Sequence, residues 1–346
     1  MKNLLVTLIL PIRNESAYIE DSLAAILKQD YPSDCMEILV VDGMSTDDTH
    51  SLIRDFSERN PSLQIRILDN PGKIVPTGMN IALREVKGEI VVRVDGHCLI
   101  AQDYVSNCVD HLKKDGVDGV GGPMESIGET KVAKAIAIGM SSPFGVGNSA
   151  FRTTSGKSML VDTIPFPAYT WEVIKRAGLY DEELVRNQDD EYNYRIRELG
   201  GKILLANDVR STYFSRSSLK GLWRQYFQYG YWKVRVLQKH PRQMSLRQFI
   251  PPVFVLALFV SVLLVFSSAF RFSSMIVPLL YLTANFAASI WTSSKWKFQY
   301  LGWLPFIFLI LHLSYGLGFL AGLFKFWNRW NDKVGKVSGW QNAAIG

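Results

Sequence analysis

ILVVDGMSTDDT, residues 38–49, is the stretch that decides the fold. A β-branched run ends on an acidic residue, Asp42, and opens into a turn. EIVVRVDGH, residues 89–97, repeats the pattern and delivers Asp95. Two carboxylates at the C-terminal ends of parallel strands converge in the crevice where open α/β sheets bind ligands. One can grip a ribose and the other can hold a metal that bridges two phosphates, so the pair points to a nucleotide-activated substrate.

The surrounding chain supplies the rest of the sheet. LLVTLIL (4–10) reads as a buried strand, and Ile19, Leu23, Ile26 and Leu27 recur at helical spacing before Pro32. EILVVD (37–42) is a strand, and Asp47 can cap a helix running to about Arg59. A strand follows at 65–68, a helix at about 76–87, a strand at 89–95, a helix at about 102–115 and a short strand near 117–121. This βαβαβαβ order predicts a mostly parallel, doubly wound sheet. Residues 131–147 are apolar, helical to about Met140 and too short to span a bilayer; they fit either a membrane-facing or a buried helix. Residues 150–175, with Pro165 and Pro167, read as irregular. A helix is predicted at 188–199, strands at 202–206 and 210–214, and a helix at 218–240.

The chain has 346 residues, enough for one large domain or two, and a net charge of +6. That modest basic excess suits phosphorylated ligands or an anionic membrane, and no nucleic-acid-binding motif accompanies it. Cys35, Cys98 and Cys108 are odd in number and lack metal-site spacing, so a disulfide framework or zinc site is not expected. The N-terminal apolar run is too short for a signal peptide and ends in a polar turn, which leaves the soluble part in the cytosol.

Three nearly uncharged segments, at about 249–270, 272–293 and 301–324, are each long enough to cross a bilayer. Trp291, Trp296, Trp303, Trp327 and Trp330 flank them as an interfacial belt would. The predicted division is a cytosolic domain over 1–240 and a multi-pass cell-membrane region with a basic tail over 241–346. The positive-inside rule puts Arg235, Lys239, Arg242 and Arg247 in the cytosol, and Lys295 and Lys297 with them. Three crossings then send the tail to the far side, although it carries Lys325, Arg329, Lys333 and Lys336. Either the tail breaks the rule, or one segment is re-entrant or interfacial.

Several motifs carry candidate chemistry. PIRNE (11–15) follows the first strand, where Arg13 and Glu15 can meet a base, diphosphate or ribose; the same residues fit a helix cap at Asn14 or Ser16. Lys73, between Gly72 and Gly78, which permit tight turns, fits either a phosphate contact or a solvated surface lysine. At Asp95-Gly96-His97 a diphosphate leaving group calls for a divalent cation, Mg²⁺ or Mn²⁺, and the imidazole of His97 suits Mn²⁺. His97 also fits a hydrogen-bonding turn. Asp189 and Asp190 open a helix, where a general base for an attacking hydroxyl competes with simple dipole complementarity. Arg186 and Arg195 are candidates to orient that cluster. WRQYFQYGYWK (223–233) interleaves cations with aromatic rings, which suits a lipid-diphosphate headgroup, a sugar face or an interfacial helix.

In this order the motifs PIRNE, VVDGMSTDDT, NPGK, VDGH, QDDE and RQYFQYGYWK resemble the family 2 inverting glycosyltransferases of GT-A fold. SPFGVGNSAFR (142–152) and RNQDDEYNYRI (186–196) resemble its membrane-associated exopolysaccharide branch, which includes the succinoglycan glucosyltransferase. The resemblance covers about residues 4–240. It implies a nucleotide-sugar site formed by Pro11, Arg13, Glu15, Asp42, Lys73 and Asp95, with Asp42 on the base. It puts Asp95 and His97 where the family has its metal-binding Asp-x-Asp, with His97 replacing the last aspartate. Asp189 stands in the family's catalytic-base position, with Asp190 second. Arg224, Gln225 and Trp232 only approximate the family's Gln-x-x-Arg-Trp helix for diphosphate and acceptor. That departure, together with the lack of spans before the catalytic domain, argues against processive synthesis. The expected activity is transfer of a sugar, most simply from a UDP-linked donor, to a lipid-linked or saccharide acceptor. A nucleotidyltransferase and a non-catalytic carbohydrate-binding scaffold are the rival expectations.

Overall fold

The computed structural model describes residues 3–147, 149–153 and 156–336. Met1 and Lys2 of the N-terminal run, Asn148 of the 142–152 segment and residues 337–346 of the basic tail lie outside the described residues. The chain forms two compact units. The first contains 1–125, 154–214 and 335–346, and the second contains 126–153 and 215–334. The second unit therefore begins within the predicted 1–240 domain and includes its last helix.

The first unit begins with β1 (Val6–Ile12), α1 (Ile19–Leu27), β2 (Met36–Asp42), α2 (Thr49–Arg59), β3 (Gln64–Asp69), α3 (Val75–Leu83) and β4 (Ile90–Arg93). It continues with β5 (Cys98–Ile100), α4 (Tyr104–Lys114), β6 (Gly119–Gly121) and β7 (Met124–Ile127), through which the chain leaves. The second unit then contributes α5 (Lys131–Met140) and the short α6 (Pro143–Val146) and α7 (Ala150–Thr153). Back in the first unit lie β8 (Met159–Leu160), β9 (Ala168–Thr170), α8 (Trp171–Ala177), α9 (Gln188–Glu198), β10 (Ile203–Leu205) and β11 (Ser211–Phe214).

The main sheet has the order β3-β2-β1-β4-β9-β6-β10-β8, and a small second sheet has the order β5-β11-β7. β1 pairs in parallel with both β2 and β4, Ile12 opposite Asp42 and Ile9 opposite Arg93. The winding therefore reverses at β1, and the crevice beyond its C-terminal end is a topological switch point. Leu8, Ile9, Leu10, Ile38, Leu39 and Val40 are wholly buried, as expected of strands covered on both faces. The region 150–175, predicted irregular, instead supplies β9. This strand runs antiparallel between β4 and β6 and so joins the two halves of the sheet. Three residues are too few to display a strand period.

The second unit holds α10 (Leu219–Lys239), α11 (Ile250–Leu264), α12 (Ile276–Ser294) and α13 (Leu304–Lys325). Among the described residues, three stretches are long and apolar enough to cross a membrane: Leu246–Leu264, Ser273–Ser294 and Leu304–Lys325. The helix predicted at 131–140 is α5, whose Ala135, Ile136 and Met140 are buried with Leu304, Ile307 and Phe308 of α13.

Candidate active site

The sheet register sets the scale of the site. Asp42 ends β2 and Asp95 follows β4, with β1 between them. Two strand spacings put their backbones about 10 Å apart along one sheet edge. Lys73 lies one strand further out, exposed, beyond β3.

Loops at this edge are stitched to one another. Asn14 donates its backbone N–H to Ser45 Oγ, and its Oδ1 accepts from Thr46 N. Glu15 N donates to Thr49 Oγ1 at 2.7 Å, and Ser16 N to Asp47. Asp47 also accepts from Thr49, so these hydrogen bonds, working against partial desolvation, lower its pKa to about 2. The capping and binding roles that PIRNE fits thus involve different atoms. The backbone of 14–16 is committed to the 45–49 loop, whereas Arg13 is exposed. Asp42 is only 4% exposed, and its Oδ1 accepts from both Ser45 N and Ser45 Oγ. It shapes the turn as well as lining this edge.

Pro11 differs from the sequence expectation. It is a buried residue inside β1, opposite Val41, not part of the turn. It lies past Ile9, the last β1 residue paired with β4, so its missing N–H interrupts no ladder there.

The acidic centre is organised by Arg93, a residue outside the candidate site residues named above. Arg93 is 5% exposed. Its Nε donates to Asp95 Oδ1 at 2.9 Å, and its Nη1 donates to Asp189 Oδ1. One guanidinium thus ties the end of β4 to the first turn of α9. Burial opposes its charge, but Asp189 and then Asp95 outweigh burial and raise its pKa. A cation inside the otherwise apolar run EIVVRVD was the available signal. Arg195, expected to orient the aspartates, instead grips Glu191 with Nε and Nη2, at 2.7 and 2.9 Å.

Asp189 is the most perturbed carboxyl of the group. Surrounding protein pushes its pKa up to about 6; Arg93 pulls it down, while Asp95 and Asp190 push it up. A third of its side chain still meets solvent, so the group is both perturbed and reachable. Asn187 enters α9 from the left-handed region at φ 62°, and Gln188 is buried beside it with no hydrogen-bond partner for its Oε1 among the described residues. Such an orphaned acceptor suits a ligand hydroxyl.

His97 packs tightly at the switch point. Its Nδ1 faces Glu15 Oε1 at 2.9 Å, and its ring meets Tyr213 edge-on at 5.0 Å. The turn reading of His97 is therefore realised. The same contact is the device by which a carboxylate fixes a metal-binding imidazole and leaves Nε2 as the donor. Asp95 supplies a carboxylate, so the two side chains fit a partial donor set for a divalent cation. Among the described residues, no three His, Cys, Asp or Glu side chains are grouped to hold a metal unaided. Water and ligand oxygens would supply the remainder. A Cβ on Gly96 would come within 2.9 Å of both Glu15 Cγ and Ile12 Cγ2. Gly96→Ala is expected to displace Glu15 from His97 and to cost about 1–3 kcal/mol through overpacking. A lower Tm together with weaker nucleotide binding in titrations checks this.

Arg224, Gln225 and Trp232 lie on α10 in the second unit. Arg224 and Trp232 line an open groove of about 490 Å³ with Lys220, Trp223, Phe227 and Tyr231. Gln225 does not join them. It is buried, with Nε2 donating to Tyr229 Oη, because adjacent helix positions point about 100° apart.

The sequence profile of glycosyl transferase family 2 matches residues 7–181. Over 325 residues the chain is 26% identical to succinoglycan biosynthesis protein ExoA of Rhizobium meliloti (strain 1021), covering 93% of this chain and 96% of that protein. It is 28% identical over 240 residues to a dolichyl N-acetyl-α-D-glucosaminyl phosphate 3-β-D-2,3-diacetamido-2,3-dideoxy-β-D-glucuronosyltransferase of Methanococcus voltae, covering 68% and 74% of the two chains. Among solved structures, mannosyltransferase PcManGT from Pyrobaculum calidifontis, in complex with GDP-Man and Mn²⁺, superposes with a TM-score of 0.58 at 20% identity, covering 92% of this chain and 88% of that one. At that identity the likeness is one of fold, and the α/β core described above is of the GT-A type.

Proposed function

The chain belongs to glycosyltransferase family 2, and from that premise we propose that it is a metal-dependent, inverting transferase acting at a membrane surface. The donor is a nucleotide sugar, UDP-linked on the reading of Asp42, and the acceptor is a lipid-linked sugar or polysaccharide precursor. The observation that carries this reading is the Arg93 bridge. It holds a carboxyl with a raised pKa beside the carboxylate expected at the diphosphate.

In this mechanism Arg13, Glu15, Asp42 and Lys73 position the nucleotide along the sheet edge. Asp95 and His97 would hold a divalent cation, Mg²⁺ or Mn²⁺, and such an ion would supply charge stabilisation for the diphosphate leaving group. Asp189 takes the proton from an acceptor hydroxyl, with Asp190 the alternative base. The acceptor oxygen bonds to the anomeric carbon as the carbon–oxygen bond to the diphosphate breaks, and the electron pair leaves with the diphosphate. One displacement inverts configuration, so an α-linked donor gives a β-glycoside. Arg93 keeps Asp189 aimed and its proton affinity moderate. Arg224 and Trp232 on α10 are assigned to the acceptor's anionic headgroup, and Gln225 to supporting that helix. The printed names of the ExoA and Methanococcus voltae relatives, a succinoglycan biosynthesis protein and a dolichyl-linked transferase, support an acceptor of this class.

Labelled sugar nucleotides incubated with membranes containing the full chain test this reading. Sugar transfer with release of nucleoside diphosphate supports it. Pyrophosphate release favours a nucleotidyltransferase, and donor binding without turnover favours a non-catalytic module. The base must be unprotonated to act, so kcat is expected to rise with pH through about 6, the value Asp189 takes. At pH 5 roughly a tenth of the plateau rate should remain. A flat rate from pH 5 to 8 removes Asp189 from the role.

A further inference from the structure

We infer that this chain crosses the membrane twice, not three times. Ser273–Ser294 returns the chain to the side from which Leu246–Leu264 left it, and α13 lies on that side along the membrane surface. The inference is independent of the proposed reaction and rests on where the chain re-enters the first unit.

The chain leaves the first unit after Phe214 and is back in it at Gly335. The return is specific. Lys336 N donates to Asp181 Oδ1 at 2.9 Å, and Glu182 N donates to Lys336 O at 2.7 Å. A folded α/β unit occupies one side of a membrane, so the segment between exit and return must cross an even number of times. Three crossings by α11, α12 and α13 would require a fourth within residues 326–335. Fully extended, those residues reach about 35 Å, barely the hydrocarbon thickness. They would carry Arg329, Asp332 and Lys333 through lipid as non-helical backbone, which a bilayer core does not tolerate. This stretch is instead folded against α10: Arg235 donates to Arg329 O and Asp332 O, and Gln238 Nε2 donates to Phe326 O.

Packing identifies the helix that stays. α13 runs parallel to α10 along its whole length. Leu222 and Tyr226 of α10 pack with Leu304, Ile307 and Leu311. Further along, Gly318 and Gly322 bring the α13 backbone against the carbonyls of Phe227 and Tyr231. At the far end, Gln238 and Arg235 reach the residues just past α13. α10 carries Lys220, Arg224, Lys233, Arg235 and Lys239 and no acidic residue, so it cannot span. A helix lying beside it from end to end shares its depth. Coverage agrees: 44% of the α13 window is buried within the protein, against 17% for each of the other two segments.

The charges then fall into place. With α11 and α12 as a hairpin, Lys239, Arg242, Arg247, Lys295, Lys297, Lys325, Arg329, Lys333 and Lys336 share one side, and Arg271 marks the other. The surface presented to lipid by the pair α10 and α13 is basic and aromatic, with Trp223, Phe324 and Trp327 exposed, and it fits an anionic bilayer face.

The test uses the full chain in sealed membrane vesicles of both orientations, with Cys35→Ser as the background; Cys98 and Cys108 are buried. Single cysteines replace exposed residues: Lys28 in the first unit, Arg271 in the hairpin loop, Gln299 before α13 and Lys333 after it. Lys297→Cys and Lys325→Cys are second reporters for the last two regions. A membrane-impermeant maleimide is expected to label 28, 299 and 333 from one face and 271 from the other, with all four labelled in detergent. Labelling of 333 from the face opposite 28 overturns the inference in favour of three crossings. Labelling of 271 from the same face as 28 removes the hairpin, and labelling of 299 from the opposite face makes α13 a span.

Discussion

Asp189→Asn is expected to slow glycosyl transfer about 10²- to 10⁴-fold while leaving donor binding within a few-fold of the parent, the range set by loss of a general base. The substitution keeps the shape of the side chain and a hydrogen-bond acceptor for Arg93, which also retains Asp95 as a charged partner. Folding should survive, so the loss should appear in kcat at saturating donor and acceptor, with an unchanged circular dichroism spectrum. The comparison is Asp190→Asn. If Asp189 is the base, Asp190→Asn falls well short of that loss and lowers the pH midpoint of the remaining activity, because Asp190 is one of the charges that raise the Asp189 pKa. The reverse ranking moves the base role one residue along the helix.

Asp95→Asn is the second large effect. It removes the carboxylate proposed to hold the cation on the diphosphate, and the loss of such charge stabilisation amounts to several kcal/mol, on the order of 10³-fold in rate. Calorimetric titration should show that donor affinity no longer depends on Mn²⁺ or Mg²⁺. Chelation of the parent protein should reproduce both losses. The residual activity carries a further signature. Asp95 raises the pKa of Asp189, so neutralising it should shift the pH midpoint below about 6. Metal-dependent donor binding that persists unchanged in Asp95→Asn would remove this residue from the cation site.

Some of this architecture was legible in the sequence because it is written locally. The strands that deliver Asp42 and Asp95 are β-branched and buried, and their order predicts the parallel sheet that β1, β2 and β4 form. The helix beginning at Gln188 was readable from its own spacing and acidic first turn. Arg93 was not, because its significance depends on a partner 96 residues away. The strand β9 was hidden by its length, and Pro11 was misplaced because the end of β1 is set by its pairing with β2, which continues past β4 to Ile12 opposite Asp42. The membrane region shows the same limit. Mean hydropathy is 1.9, 1.4 and 2.0 for the three apolar segments, so composition treats them alike. What distinguishes α13 is its packing along α10, and no window of sequence contains that contact.

The most direct test of the central claim is the position of a nucleotide sugar bound with Mn²⁺ in a crystal or cryo-electron-microscopy structure of the Asp189→Asn protein. The account expects the nucleoside along the edge from Lys73 to Glu15, the metal and diphosphate at Asp95, and the anomeric carbon facing residue 189 with room for one hydroxyl between. A donor seated away from this edge, or one whose anomeric carbon points away from residue 189, would contradict it.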